Sequence, residues 1–160
     1  VKYWSKFLSN QLEVRLRISN FNVEETNAVI DLWNRCGLLR SWNDPKLDID
    51  RKLTDQNGCF LVGHYGLRLI ASIMVGYDGH RGSINYLAID PAFASKGHGT
   101  EMMIAAEQFL MSLGCPKVNL CVRQDNEAAV KFYARLGYRT ETVHFFGKRL
   151  IKDKQASDAQ

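Results

Sequence analysis

Strand and helix patterns in this sequence predict a mixed α/β (α+β) domain, with a mostly antiparallel central sheet flanked by helices. Apolar strand patterns follow one another over residues 59–89 and are joined by short glycine-containing turns, which is typical of antiparallel strands. A helical pattern over 97–113 then separates strand patterns at 84–89 and 117–122. Because that helix must cross over between them, these two strands are predicted to be parallel neighbours.

The first part of the chain predicts one strand and two helices. Alternating apolar and charged residues indicate a half-buried strand over 12–18. Asn22 is suited to cap a helix that runs to about Cys36 and stops at Gly37. A shorter, mostly charged helix is expected over 45–56, since its first residue is a proline, which the first helical turn favours.

The rest of the chain alternates strands and helices without an internal repeat or a domain boundary. The Asp78-Gly79 dipeptide favours a hairpin before the central strand. Residues 12–152 are expected to form one domain, preceded by an extension over 1–11 and followed by a solvated tail over 153–160. Further elements are expected as strands at 59–64, 69–77, 83–89, 117–122 and 138–146 and as a helix at 126–136.

Composition and charge fit a cytoplasmic protein better than one bound to a membrane or to nucleic acid. Of the 160 residues, 46% are hydrophobic and 24% are charged, and no apolar run is long enough to span a bilayer. The net charge of +4 is spread without a basic block, so it suits an anionic small ligand and gives no indication of nucleic-acid binding. The four cysteines show neither C-x-x-C nor histidine spacing, which indicates free thiols and no metal site.

A glycine-bearing turn before the long helix is the strongest functional feature of the sequence. Gly97 and Gly99 lie where the central strand and an Asp90-Pro91 turn lead into a helix N-terminus. Unpaired N–H groups and the positive end of the helix dipole suit such a place to phosphate. The dinucleotide motif G-x-G-x-x-G is excluded, because Met102 stands in place of the third glycine. The triphosphate loop is excluded too, because Lys96 precedes the glycine.

Two motifs carry a resemblance to a known family. The turn reads x-x-x-G-x-G over 94–99, and residues 126–138 read N-x-x-A-x-x-x-Y-x-x-x-G-Y. In this order they resemble the coenzyme A loop and the second signature of the GNAT superfamily of N-acetyltransferases. Within that superfamily the sequence is similar to the YpeA-like subgroup, in runs at 42–45, 76–82, 114–117 and 147–151. The resemblance covers about residues 12–152.

The resemblance implies a GNAT-like fold and acetyl-CoA as cofactor. The two parallel strands are expected to splay apart, so that the pantetheine arm enters from one side and an acceptor amine from the other. Leu87, Ala88 and Ile89 are expected beside the pantetheine, with a backbone N–H of Ala88 or Ile89 facing the thioester carbonyl. The pyrophosphate is expected to contact the N–H groups of the turn, at Ser95, Lys96, Gly97, His98, Gly99 and Thr100.

Asn126 and Tyr133 each have a structural and a functional interpretation. Seven residues apart on one predicted helix, they share a face of it. Asn126 is a helix cap, a cofactor contact as the resemblance implies, or both. Spacing alone favours Tyr133 as a core residue packed with Phe132, whereas the resemblance makes it the general acid that protonates the departing thiolate.

The acceptor side is less well defined by the sequence. Arg40 and Trp42 lie in a loop that is suited to wall a pocket, although an Asp-Pro turn beside a buried Trp explains the loop as well. Asp78, His80 and Tyr86 are candidates for a general base that acts through water, and hairpin chemistry also explains the first two. These five residues form the expected substrate-binding set, for an amine of a small molecule or of a protein.

Departures from the family pattern leave two functions open. Ala94 replaces the Arg or Gln that begins the cofactor loop, with Lys96 and His98 as nearby cationic substitutes, and Cys121 stands where some relatives carry a glutamate base. The first hypothesis is an acetyl-CoA-dependent N-acetyltransferase acting on a primary amine. The alternative is a degenerate module that binds acyl-CoA without turnover, as a sensor or a structural ligand. In either case we expect a monomer or a homodimer.

Overall fold

The computed structural model describes residues 15–153, so the predicted extension at 1–11 lies outside the described residues, as do residues 154–160. Five strands form one sheet in the order β1-β2-β3-β4-β5. The strands are β1 Arg17–Asn20, β2 Cys59–Tyr65, β3 Arg68–Tyr77, β4 Gly82–Ile89 and β5 Val118–Leu120. The helices are α1 Thr26–Arg35, α2 Pro45–Leu53, α3 His98–Ser112 and α4 Glu127–Arg135. Short 3₁₀ turns at Val23–Glu25 and Pro91–Phe93 precede α1 and α3.

The sheet has the predicted mixed topology. Each strand from β1 to β4 is antiparallel to the next. After β4 the chain crosses over through α3, so β5 pairs with β4 in parallel. The predicted fold class and its one parallel pair are therefore confirmed.

Capping side chains stand ahead of the first two helices, as the sequence predicts for Asn22. Asn22 and Glu25 form a capping box ahead of α1, in which Glu25 Oε2 accepts the Asn22 N–H at 2.9 Å. Asp44 caps α2, and Pro45 occupies its first turn. Both predicted helices are confirmed, although α2 ends at Leu53, before the predicted end at 56. None of the helices over 15–153 is long and apolar enough to cross a membrane.

Two apolar layers, one on each face of the sheet, form the core. On one face, α1 and α2 bury Leu32, Trp33 and Ile49. On the other face, α3 buries Met102 and Met103, and side chains of α4 pack against the same cluster. We call these the α1–α2 face and the α3–α4 face.

The predicted final strand at 138–146 is wrong, because the segment 138–153 has no regular secondary structure. Val143, Phe145 and Phe146 are 74%, 80% and 88% exposed. A strand forms only where another strand pairs with its backbone. Within the described part of the chain the sheet ends at β5, which is three residues long against a prediction of 117–122. The segment 138–146 therefore stays unpaired, because β5 is too short to pair with a strand of that length.

The first strand is also displaced from its prediction. β1 begins at Arg17, whereas the predicted strand covers 12–18, whose first three residues lie outside the described range. β1 pairs with β2 from Arg17 opposite His64 to Asn20 opposite Leu61. The available partner strand, more than the alternation of the sequence, decides where the strand lies.

The four cysteines are free thiols, as predicted. Cys36 donates to the carbonyl of Ile89 at 3.2 Å. Burial raises the pKa of the Cys59 thiol to about 11. In the stretch 15–153, no three His, Cys, Asp or Glu side chains come together in a way that could hold a metal ion.

Candidate functional site

The loop between β4 and α3 presents backbone N–H groups at the start of a helix. Ser95 and Gly97 have φ of +59° and +88°, both in the left-handed region. α3 begins at His98 without a side-chain cap, so the helix leaves the N–H groups of its first turn unpaired. A turn of this kind, backed by the positive end of a helix dipole, is a concave anion site built from backbone. The loop therefore fits a pyrophosphate group.

The two glycines of this loop serve different purposes. At Gly97 a Cβ would meet nothing within 4 Å, so the positive φ is what favours glycine there. At Gly99 a Cβ would lie 3.2 Å from the Phe132 ring. Gly99 therefore lets α4 pack against the start of α3, while Gly97 gives the loop its turn.

The basic side chains of the loop, Lys96 and His98, lie beside aromatic rings. His98 is buried, with Nδ1 at 3.1 Å from Glu101 Oε1, and its ring packs beside Tyr65 and Phe93. Lys96 Nζ lies 5.2 Å from the centre of the Phe93 ring. His98 is thus a core side chain and does not take the place of the missing arginine at position 94. Lys96 remains the exposed cation of the loop.

β4 separates from β5 after a short paired stretch. The parallel pairing covers Gly82–Ile84 opposite Val118–Leu120. No other described strand pairs with this edge beyond Ile84, so the edge is open along Leu87, Ala88 and Ile89. The predicted splay is confirmed, and an open edge of this kind can pair with an extended ligand.

A β-bulge interrupts β4 at Tyr86. Between the pairs Ser72–Ala88 and Met74–Asn85, β4 contains one residue more than β3. Tyr86 has φ of +49°, which is rare for a residue with a bulky side chain. As a result, the consecutive residues Asn85 and Tyr86 both line a groove on the α1–α2 face.

The groove on the α1–α2 face consists of two adjoining depressions of about 400 and 360 Å³. The Tyr86 hydroxyl donates to Asp48 Oδ2 at 2.6 Å, and its ring stacks on Trp33 at a centroid distance of 3.9 Å. Burial and then the bond to Asp48 raise the pKa of Tyr86 to about 12, so this phenol keeps its proton at neutral pH. The lining includes Asp48, Arg51, Lys52, Asp55, Ser83 and Asn85.

The charged groups of the groove are paired with one another. Arg51 lies 3.1 Å from Asp48, and Lys52 lies 2.6 Å from Asp55. Arg51 also lies 2.5 Å from Asp153, the first residue of the predicted tail, whose pKa this hydrogen bond lowers to about 2. The C-terminal segment is therefore fastened to α2 beside the groove.

Of the predicted acceptor residues, Asp78 and Tyr86 line the groove, whereas Arg40, Trp42 and His80 do not. Asp78 Oδ1 accepts the backbone N–H groups of Arg81 and His80 at 2.6 and 2.7 Å, which lowers the pKa of Asp78. Asp78 is thus a turn residue and a weak base. Arg40 donates to two carbonyls just after α1. Trp42 is 54% exposed.

Asn126 and Tyr133 both have the structural role that was one of their two predicted interpretations: a helix cap and a packed aromatic side chain. Asn126 caps α4, because its Oδ1 accepts an N–H of the first turn at 3.1 Å. The Tyr133 ring packs against Phe132 and Tyr138, at centroid distances of 5.1 and 5.7 Å. Burial raises the pKa of Tyr133 to about 12. The Tyr138 hydroxyl donates to Glu107, whereas that of Tyr133 bonds to no other described residue and is available as a proton donor.

The sequence alone did not indicate the groove residues of α2. Asp48 and Arg51 belong to a short helix whose charged pattern predicts only a solvated surface. They reach the groove because Ile49 docks α2 on the α1–α2 face. Asp48 lies 38 residues from Tyr86 in the chain, so no local motif joins the two.

Both the sequence and the fold correspond to known proteins. Residues 26–138 match the family model described as the Acetyltransferase (GNAT) family. This chain belongs to the GNAT acetyltransferase family. An acetyltransferase of Pectobacterium atrosepticum is 43% identical over 144 residues, which cover 90% of this chain and 99% of that protein. The chain is therefore an acetyltransferase with acetyl-CoA as its acetyl donor, and the YpeA-like subgroup stays a prediction.

Two solved structures of this GNAT fold differ in the acceptor that their names indicate. AAC(6')-Iy, bound to a bisubstrate analogue of coenzyme A and acetylneamine, is 17% identical, with a TM-score of 0.71 over 84% of this chain and 99% of its own. The ribosomal-protein-S18-alanine N-acetyltransferase of Escherichia coli is 18% identical, with a TM-score of 0.70 over 80% of both chains. At these identities the likeness shows a shared fold.

Proposed function

We propose that this GNAT acetyltransferase transfers an acetyl group from acetyl-CoA to a primary amine, of a small molecule or of a protein, that binds in the groove. One observation carries the proposal. The open edge of β4 begins just after Ile84, and the next two residues, Asn85 and Tyr86, also line the groove. The strand edge suited to the donor and the depression suited to the acceptor therefore meet at one point of the sheet.

Backbone groups are suited to hold the donor. Bound acetyl-CoA supplies a thioester, which is an acyl group activated towards an amine. The turn from Ser95 to Thr100 offers N–H groups to the pyrophosphate, because Ser95 and Gly97 adopt positive φ ahead of an uncapped helix. Leu87, Ala88 and Ile89 offer an open strand edge to the pantetheine arm. Because position 94 is alanine and not arginine, the contacts with acetyl-CoA lack a charge-assisted hydrogen bond worth about 1.5–3 kcal/mol.

Tyr133 is suited to be the proton donor. The pKa of Tyr133 is about 12, so Oη is protonated at neutral pH. No described residue accepts a hydrogen bond from this hydroxyl. A thiol has a pKa near 8.5, so full transfer from a phenol is uphill and a hydrogen bond to the departing sulfur is the smaller, sufficient step. Packing against Phe132 and Tyr138 holds the ring in one place.

Tyr86 and Asp48 are suited to receive the amine. The Tyr86 proton points to Asp48, so the Tyr86 oxygen presents its remaining acceptor capacity to the groove. An ammonium group that has lost one proton to water can donate an N–H to this oxygen and keep its lone pair for the acyl carbon, and a second proton leaves for water once the new C–N bond has formed. Asp48 is an acidic side chain at the same place in the groove and favours a cationic amine on approach, although Arg51 screens part of its charge.

Thiol release from acetyl-CoA in the presence of primary amines tests the proposal. The panel contains neamine and a peptide that begins with alanine, chosen from the two structural relatives, and a peptide with an internal lysine. We expect amine-dependent thiol release and an acetylated product in the mass spectrum. Tyr86→Phe should raise the KM for the amine and leave the affinity for acetyl-CoA unchanged, since it removes only the hydroxyl in the groove.

The contrary result has a definite meaning. If the protein binds acetyl-CoA by calorimetry but acetylates none of these amines and releases no thiol, the degenerate acyl-CoA-binding module is the better description. If thiol is released at the same rate without any amine, water is the acceptor and the groove has no role in the reaction.

A further inference from the structure

Two hydrogen bonds in series connect α1 to the bulge in β4. Trp33 Nε1 donates to Ser72 Oγ at 2.9 Å, and Ser72 Oγ donates to the carbonyl of Tyr86 at 3.0 Å. Trp33 and Ser72 both have 0% exposure. A polar pair buried so completely is costly unless every group finds a partner, and here each of them does.

Trp33 sets the direction of this chain of hydrogen bonds. An indole N–H can only donate, so Ser72 must accept from it and has its own proton left for the Tyr86 carbonyl. That carbonyl lies at the bulge, where the extra residue of β4 interrupts the regular ladder with β3. The serine hydroxyl therefore supplies a donor at the place where the strand pairing breaks off.

Tyr86 depends on such support because its backbone conformation is unfavourable by itself. Its φ of +49° is one that side-chain-bearing residues keep only when their surroundings require it. Trp33 acts on Tyr86 twice, through Ser72 and through a ring stack with a centroid distance of 3.9 Å and an angle of 19°. Asp48 holds the other end of the side chain at 2.6 Å. The backbone, ring and hydroxyl of one residue are thus each fixed by a different partner.

We propose that Ser72 and Trp33 are positioning residues for acetyl transfer, which hold the β4 bulge so that Tyr86 stands in the groove. The inference rests on the proposed function. Side chains alternate between the faces of a strand, so loss of the bulge would send one of Asn85 and Tyr86 to the opposite face. A displacement of about 1 Å at such a place costs about a hundredfold in rate.

Hydrogen exchange tests the positioning role without any acceptor. The measured quantity is the exchange rate of amides in a peptide over 83–90, divided by that of amides in β2, for the wild type, Ser72→Ala and Ser72→Thr. In Ser72→Ala we expect this ratio to rise about tenfold, because one buried hydrogen bond at the bulge is lost. Ser72→Thr keeps the hydroxyl and should restore most of the wild-type ratio.

Met103→Ala is the control, since Met103 is buried on α3 and belongs to the core cluster on the other face of the sheet from Trp33 and Tyr86. It should destabilise the fold as a whole and leave the ratio unchanged. If Ser72→Ala leaves the ratio within about twofold of the wild type, or if Met103→Ala raises it equally, the positioning role is overturned. If Ser72→Ala does not fold, Trp33→Phe decides the question, because it removes the first donor and keeps an aromatic ring beside Tyr86.

Turnover gives the second readout. With neamine or the alanine peptide as acceptor, kcat of Ser72→Ala should fall at least about tenfold, while calorimetry shows the affinity for acetyl-CoA within about twofold of the wild type. A fall in thermal stability with unchanged kcat would assign Ser72 to the core alone and overturn the proposal. If the wild type acetylates neither amine, the proposed function fails on this panel, whereas the exchange ratio still decides whether Ser72 holds the bulge.

Discussion

The loop before α3 and the groove beside α2 are built in opposite ways. The loop is one run of residues, 95–100, and presents backbone N–H groups. The groove joins side chains that are distant in sequence, since Tyr86 and Asp48 are 38 residues apart and Arg51 and Asp153 are 102 apart. On the proposed donor side, binding would therefore depend on backbone conformation. On the proposed acceptor side, it would depend on which side chains meet.

This difference allows the two sides of the site to vary independently. A substitution at Ser95 or Gly97 acts mainly through the positive φ of that position, whatever its side chain. A substitution in the groove acts through the group it removes, as at Tyr86 or Asp48.

The largest expected effect belongs to Tyr133, which lies on α4. Tyr133→Phe keeps the ring packed on Phe132 and Tyr138 and removes the proton at Oη. We expect turnover to fall by about a hundred- to ten-thousandfold, as is typical for loss of a general acid, with acetyl-CoA affinity and stability nearly unchanged. Steady-state kinetics and thermal unfolding measure both quantities.

Tyr138→Phe is the matched control for that variant. Its hydroxyl donates to Glu107 at 2.8 Å, so its loss should lower stability and leave turnover intact. Equal losses of turnover in the two variants, or normal turnover in Tyr133→Phe, would show that the Tyr133 hydroxyl is not the proton donor.

Gly97→Val tests whether the loop before α3 binds coenzyme A through its backbone conformation. Valine is strained at the φ of +88°, although its side chain would meet nothing within 4 Å. We expect coenzyme A to bind about ten- to a hundredfold more weakly in calorimetry, because the loop must leave its turn. Gly66→Val is the control, since Gly66 has φ of +62°, equally open space and a place in the β2–β3 turn. Similar affinities in the two variants would contradict the assignment of the loop.

Ala94→Arg tests whether a charged side chain can strengthen acetyl-CoA binding at a loop that otherwise offers backbone groups. The exposed position 94 begins the cofactor loop, so a guanidinium there should tighten acetyl-CoA binding by about 1–3 kcal/mol. The gain should shrink as salt is raised. Ala92→Arg adds the same charge at an exposed position before the loop and should change little. No gain at 94, or an equal gain at 92, would count against a specific contact.

Asp153→Asn gives the smallest expected effect. It removes the ion pair with Arg51 beside the groove and changes the thermal stability. The hydrogen bond from Arg51 holds the pKa of Asp153 at about 2, below the usual value near 3.9. Because the folded state holds this proton more weakly, the contribution to stability is present above about pH 4 and is lost as pH falls towards 2. Asp153→Asn should lower Tm at pH 7 by no more than a few degrees, and the difference should close on acidification. If the difference in Tm between the two proteins did not change with pH, the Arg51–Asp153 pair would not be the source of a pH-dependent stability.

Features that depend on a few neighbouring residues were predictable from the sequence. The capping box at Asn22, the cap at Asp44 and the turn at Gly97 follow from side-chain chemistry and φ preferences within one turn of the chain. The parallel pairing of β4 with β5 was predictable too, since a crossover helix of this length permits little else. The loop half of the site and the sheet topology therefore follow from local signals.

Features that depend on a distant partner were decided by the tertiary structure. Residues 138–146 carry a strand pattern, yet they remain unpaired because β5 offers an edge of three residues. Nothing near Tyr86 in the sequence marks a bulge; Trp33 and Ser72 create it from other elements. Capping and φ preferences are settled within a few residues, so sequence alone determined the donor loop. Pairing and burial require groups dozens of residues apart to meet, and for that reason only the folded chain decided the groove.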